Sequence, residues 1–260
     1  MALSVERLDG GVALVTLTAE SAQNAFSIEA MTTISQTINS LIDDEEICAF
    51  VLTGTGKFFC AGADINEFRE CYDDGTISDL VQGLTDILHP LLVRIRQSDT
   101  VYVAAMNGAA AGGGLGLALA ADYRIAIPQT KIAAAFFSLG LSPDGGTTWL
   151  LPRLVGLQRA KKFFFNNETW SGEEALKLGV IDEITEPDDL IQRSLKVAIS
   201  WGKWAKSSRS GTKQLLDSQS YNDFETQLHN EQERIVGASQ TEQFSEGVDA
   251  FLEKRNPDFQ

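Results

Sequence analysis

The chain has 260 residues, 43% of them hydrophobic and 22% charged, which is enough apolar material for a sizeable core and too much for a disordered chain. Asp and Glu outnumber Lys and Arg by 36 to 21, a net charge of −15, which argues against nucleic acid and anionic membrane surfaces as partners. No apolar run approaches the roughly 18 residues of a membrane span, and the start, MALSVERLDGG, has neither the basic head nor the apolar stretch of a secretion signal.

Three cysteines without CxxC spacing (Cys48, Cys60, Cys71) fit a reducing, cytoplasmic compartment. Two widely spaced histidines, His89 and His229, offer little to a metal site or a Ser-His-Asp triad.

In chain order, residues 12–18 (VALVTLT) predict a strand, and residues 27–42 a helix with Ile28, Met31, Ile34, Ile38 and Leu41 on one face. Residues 48–54 predict a buried strand, 79–97 a helix and 101–105 a third strand. The glycines 112–114 open an apolar helix through Ala121, and residues 123–127 form a further strand. This alternation predicts an α/β fold with a mostly parallel sheet. Residues 145–155, 157–166 and 171–178 predict short helices, the last with Ser171 and Glu174 at capping-box spacing and Gly179 as its stop. From Pro187 to Lys254 the pattern is helical and more polar. The expected organisation is an α/β core over 1–190 followed by a helical region over 191–260.

Several features carry less than they promise. TGTGKFF at 53–59 lacks the first glycine of a phosphate loop and has Phe58 where Ser or Thr belongs. His89, before Pro90 in an amphipathic helix, is expected as a packed or surface residue. Cys60 is expected in the core, and Phe163 to Phe165 in the core or at a subunit interface.

Three segments point to chemistry. FFCAGADI (58–65) and AAMNGAAAGGGLGLALAADYRIA (104–126) each end a strand in small residues, exposing backbone N–H groups with no side chain in the way. Two converging N–H donors make an oxyanion hole, and a helix N-terminus adds positive potential. In SLGLSPDGGTTWLLPRLVG (138–156), Asp144 precedes two glycines and a helix, a position that also suits a simple N-cap.

Together these segments resemble the crotonase, or enoyl-CoA hydratase/isomerase, superfamily. NAFS (24–27), CAGADI (60–65), NGAAAGGGLGLALAADYRIA (107–126), PDGGTTWLLPRLVG (143–156), SGEEALKLGVIDEI (171–184) and EGVDAFLEKRNPDF (246–259) follow the family's order across nearly the whole chain. The resemblance implies a crotonase/ClpP-like spiral of ββα units with a helical C-terminal trimerisation region, assembling as a trimer or dimer of trimers. It implies an acyl-CoA thioester substrate, with coenzyme A as part of that substrate and no metal or redox cofactor. The N–H groups of Ala63 and Gly113 would form the oxyanion hole, flanked by Ala61, Asp64, Ile65 and Gly112. Ala25, Phe251 and Lys254 match positions that meet the CoA moiety.

The family's hydratases carry two glutamates. At the matching positions this chain has Gly116 and Phe136, which leaves a water without its base. Asp144 matches the single acid of the family's enoyl-CoA isomerases, and Phe136, Phe137 and Trp149 are candidates for an apolar wall that raises its pKa, with ordinary core an equal alternative for Phe137 and Trp149. The resemblance therefore implies an isomerase moving a 3-enoyl double bond to the 2-position. Ring-opening isomerisation, enoyl-CoA hydration, 4-chlorobenzoyl-CoA-type dehalogenation and a non-catalytic acyl-CoA-binding subunit remain alternatives. Residues 66–86 are the expected acyl-pocket wall.

Overall fold

A computed structural model describes residues 3–19 and 23–259; Met1 and Ala2 of the N-terminal stretch lie outside the described residues. The chain begins with an antiparallel hairpin, β1 (Leu3–Leu8) and β2 (Val12–Leu17). Helix α1 (Ile28–Asp43) follows; Ser27 caps it by accepting the Ala30 N–H, and Met31, Ile34, Ile38, Leu41 and Ile42 form its buried stripe. Such a cap contributes about 1 kcal/mol. Strand β3 (Ala49–Gly54) turns into β4 (Phe58–Cys60), followed by α2 (Ile65–Asp73) and α3 (Ile77–Gln97).

The next turn of chain repeats the pattern: β5 (Val101–Met106), β6 (Ala109–Ala111) and α4 (Gly112–Leu119). A third gives β7 (Tyr123–Ala126), β8 (Lys131–Ala133), a 3-10 turn at Phe137–Leu139 and α5 (Thr147–Val155). Then come α6 (Leu157–Phe165), β9 (Thr169–Ser171), α7 (Gly172–Lys177) and β10 (Glu183–Ile184). The described chain ends in α8 (Leu190–Gly202), α9 (Lys206–Ser218), α10 (Phe224–Ala238) and α11 (Glu242–Glu253).

Each of those three turns gives one strand to each of two sheets. The larger sheet has the order β1-β2-β3-β5-β7-β10, parallel from β2 onward. The smaller has the order β4-β6-β8-β9, antiparallel only at β8–β9. This is the spiral of ββα units that the motifs imply. Every residue of β5 is buried, which explains its unbroken apolar run.

The second sheet was not foreseen. Its strands are three residues long, too short to show alternation. The cap at Ser171 does form, accepting the Glu174 N–H, and Gly179 at φ 77° ends that helix. Phe163 and Phe164 are core residues, whereas Phe165 is exposed. No helix among the described residues is long and apolar enough to cross a membrane.

Candidate active site

The ends of β4 and β6 lie side by side in the small sheet, so the two small-residue segments meet. Beyond β4 the chain forms an isolated parallel bridge, Phe26 with Ala63. Phe26 N–H donates to the Gly62 carbonyl at 2.7 Å, and Asp64 N–H donates to the Phe26 carbonyl at 3.2 Å. In a parallel ladder this pattern turns the N–H of the intervening residue, Ala63, to the opposite side. Gly62 sits at φ 87°, and a Cβ there would fall 2.9 Å from the Ala111 carbonyl oxygen and 3.2 Å from Gly113 N. Only glycine lets the two segments approach this closely.

Gly113 is the second residue of α4. Its N–H is among the four that lack an acceptor within the helix, and Ala111 supplies no side-chain cap. The macrodipole adds positive potential at the same point.

Two asparagines brace this arrangement. Asn24 Nδ2 donates to the Thr55 and Phe58 carbonyls at 3.0 and 2.8 Å. Asn107 Oδ1 accepts the Gly54 N–H at 2.9 Å, and its Nδ2 donates to the Gly56 and Phe58 carbonyls at 3.1 and 3.2 Å. They fix the β3–β4 turn, and with it the strand β4 that leads to Ala63. Both lie inside the NAFS and NGAAA segments, where sequence alone gave them no role.

Ala63 and Gly113 open onto a cavity of about 480 Å³. Ala61, Ile65, Gly112, Phe136 and Asp144 line it too, so seven of the candidate residues come together. Its apolar wall comes from Phe68 on α2, Val81, Leu84 and Leu88 on α3, and Leu139 and Leu141 beside the 3-10 turn. Part of that wall lies within 66–86, where sequence placed it.

Asp144 is not an N-cap. Gly146 holds that position in α5, with no side-chain cap bond. The Asp144 backbone carbonyl instead accepts from Thr147 N and Thr147 Oγ1, at 3.1 and 2.8 Å, which leaves the carboxylate to the cavity. Thr147, fully buried, is an anchor that sequence reasoning missed. Burial pushes the Asp144 carboxyl above its ordinary value, and the His89 ring pulls part of that shift back. His89 is at the surface, as expected, and its Nε2 lies 3.8 Å from Asp144 Oδ2.

Gly116 is buried, and a Cβ there would fall 2.1 Å from the Gly145 carbonyl oxygen. Gly145, at φ 59°, rests on Gly113 and Gly116. The loop bearing Asp144 therefore lies directly on α4, and it occupies the space a second carboxylate at 116 would need. Phe136, the other substituted position, is buried against the cavity.

Six candidates lie elsewhere. Trp149 faces away, because the inward stripe of α5 is Thr147, Leu150 and Leu151. Its indole stacks under the Arg153 guanidinium at 3.4 Å and donates from Nε1 to the Tyr221 hydroxyl. Phe137, expected in the same apolar wall, is partly exposed and meets the exposed Phe165 edge-on. Asp64 caps α2 by accepting the Asn66 N–H. Ala25 sits beside the Phe26–Ala63 bridge, outside the cavity lining. Phe251 and Lys254 are at the end of α11, with Phe251 83% exposed. Cys60 is fully buried, its thiol pushed up to about 12 by desolvation, which makes it an inert core residue.

Comparison with known proteins agrees with the geometry. A sequence model described as enoyl-CoA hydratase/isomerase matches residues 7–260. The chain is 32% identical over 259 residues to a 1,2-epoxyphenylacetyl-CoA isomerase of Escherichia coli (strain K12), covering 100% of this chain and 98% of that protein. It is 28% identical over 252 residues to a trans-2-decenoyl-[acyl-carrier-protein] isomerase of Streptococcus mutans, covering 97% and 95%. A crystal structure of an enoyl-CoA hydratase from Bacillus anthracis superposes with a TM-score of 0.92 at 27% identity, covering 100% and 99% of the two chains.

Proposed function

The chain belongs to the enoyl-CoA hydratase/isomerase family, which binds acyl-CoA thioesters and includes a relative named for an acyl-carrier-protein thioester, and from that premise we propose that it moves the double bond of a 3-enoyl thioester to the 2-position. The observation that carries this reading is the pairing of one cavity carboxylate, Asp144, with the Ala63 and Gly113 donors while a backbone fills the place of a second acid.

The thioester carbonyl binds between the two N–H groups. Asp144 removes a proton from C2, and the electron pair of that C–H bond spreads through the thioester and the 3,4-double bond as a dienolate. The two N–H groups hold the charge that develops on oxygen, stabilisation that exists chiefly in the transition state. Protonated Asp144 then delivers the proton to C4, and the 2,3-double bond forms in conjugation with the carbonyl. One acid suffices because the second step is the reverse of the first at another carbon. Hydration would need a second group to hold and activate water.

Purified protein given 3-enoyl-CoA should raise the absorbance of the conjugated enoyl thioester, and given 2-enoyl-CoA should leave that band intact. Loss of the band from 2-enoyl-CoA alone would mean hydration and overturn the proposal. The same assay run against pH tests the electrostatics. The reactive form is the carboxylate, so activity is present above the Asp144 pKa and lost as pH falls through it. Because burial raises that pKa, the acid limb of kcat/KM should lie above the ordinary carboxylate value of 3.8. A limb at or below that value would contradict the role of burial.

A second reading, ring-opening isomerisation of an epoxide thioester, is favoured by likeness to the 1,2-epoxyphenylacetyl-CoA isomerase. We also propose that the chain works as a trimer or dimer of trimers, with 191–260 as the assembling region. Phe224, Ile235 and Leu252 of its helices are each at least 70% exposed, a cost that contact with another copy would remove.

A further inference from the structure

We propose that His89 is a proton relay between Asp144 and solvent, so that the hydrogen carried from C2 to C4 exchanges with water during turnover. The inference rests on the isomerase reading and adds to it where the proton goes between the two carbon centres.

The geometry begins with α3. Val81, Leu84, Thr85 and Leu88 of this helix line the cavity. His89 is one turn beyond Thr85, which puts it on the same side of the helix. Its Nε2 is 3.8 Å from Asp144 Oδ2, with the imidazole 49% and the carboxylate 35% exposed. That separation is closed by a small swing of the half-exposed ring or spanned by one water. Neighbouring charges of α3 are engaged elsewhere: Asp86 accepts from Gln82 Nε2 at 2.6 Å, and Arg94 pairs with Asp43.

An imidazole suits this position because its two nitrogens can accept a proton at one side and release one at the other. Asp144 takes the C2 proton, and the C–H electron pair stays in the dienolate. The carboxylic acid passes that proton to Nε2, giving an imidazolium beside a carboxylate. The imidazolium exchanges a proton with water and returns a solvent hydrogen to Asp144. Asp144 delivers it to C4, where the dienolate pair forms the new C–H bond. No charge is gained or lost over the cycle. Without the histidine, exchange is left to the carboxyl alone, 35% exposed at the edge of a largely apolar cavity, and more of the protons go on to C4 unexchanged.

The test is turnover of 3-enoyl-CoA in D2O at low conversion by the full-length protein and by His89→Gln and His89→Ala, with deuterium at C4 of the product read by mass spectrometry and NMR. The quantity is deuterium per product molecule, so a change in rate alone does not move it. The wild-type product should carry solvent deuterium at C4, and the products of both variants should carry several-fold less. Imidazole added to His89→Ala should restore the label, which a merely structural histidine would not do. Equal label in all three proteins, or none in the wild type, overturns the relay while leaving the isomerase reading intact. A wild-type protein that makes no conjugated product overturns that reading and the relay with it.

Discussion

Asp144→Ala is expected to lower kcat for 3-enoyl-CoA isomerisation by about 10⁴-fold, the upper end of what a positioned acid–base group supplies. The upper end is chosen because one side chain serves both proton transfers. Each tenfold is 1.36 kcal/mol, so the loss is about 5.4 kcal/mol of transition-state stabilisation. Binding of a saturated acyl-CoA should survive, since the apolar walls and the two N–H donors are untouched. Asp144→Asn is the control for shape: it keeps the hydrogen-bonding outline and should be nearly as inactive, because an amide cannot carry the proton. The Thr147 bonds go to the Asp144 backbone, so either variant should fold and melt close to the wild type. Substantial turnover by both would mean that another group moves the proton.

Gly113→Val is expected to cost about 10²–10³-fold in kcat/KM, the loss typical of one oxyanion-hole donor. A Cβ at 113 would already sit 3.3 Å from Leu88 Cδ2 and 3.4 Å from Phe26 Cε2. One methyl is tight but tolerable. The two further methyls of valine have to turn toward the place of the thioester oxygen or push Phe26, whose backbone bridges Ala63. Gly113→Ala should therefore fall between wild type and Gly113→Val. Steady-state kinetics with a thermal melt on each variant separates a blocked hole from a damaged fold. A valine variant with wild-type kcat/KM would place the donors elsewhere.

How much was legible in advance depends on the kind of signal. The buried stripes of α1 and α3 were plain, because sixteen and twenty-one residues give many turns of period. The two segments that meet at Ala63 and Gly113 were legible as strand ends followed by small residues. Asp144 was legible as an acid before a helix, but only the fold could tell a cap from a free carboxylate, since that depends on which end of the residue Thr147 engages. The choice for Trp149 between cavity wall and ordinary core was open for a related reason: it packs partly buried on the side of α5 that carries Arg153, and nearness in sequence to Asp144 says nothing about which way a helix turns it. The surface position of His89 was legible, but its nearness to Asp144 was not, because that comes from packing of a distant helix rather than from any local pattern.

The contact between Gly116 and Gly145 bears on how chemistries interchange on this scaffold. Grafting a hydratase's carboxylate onto position 116 is a backbone problem before it is a side-chain one, because the Gly145 carbonyl already stands 2.1 Å from where the graft would begin. Lifting the loop to make room also displaces Asp144, one residue away. In this chain, then, a side chain at 116 and the loop that carries Asp144 claim the same space, and neither can be changed without moving the other.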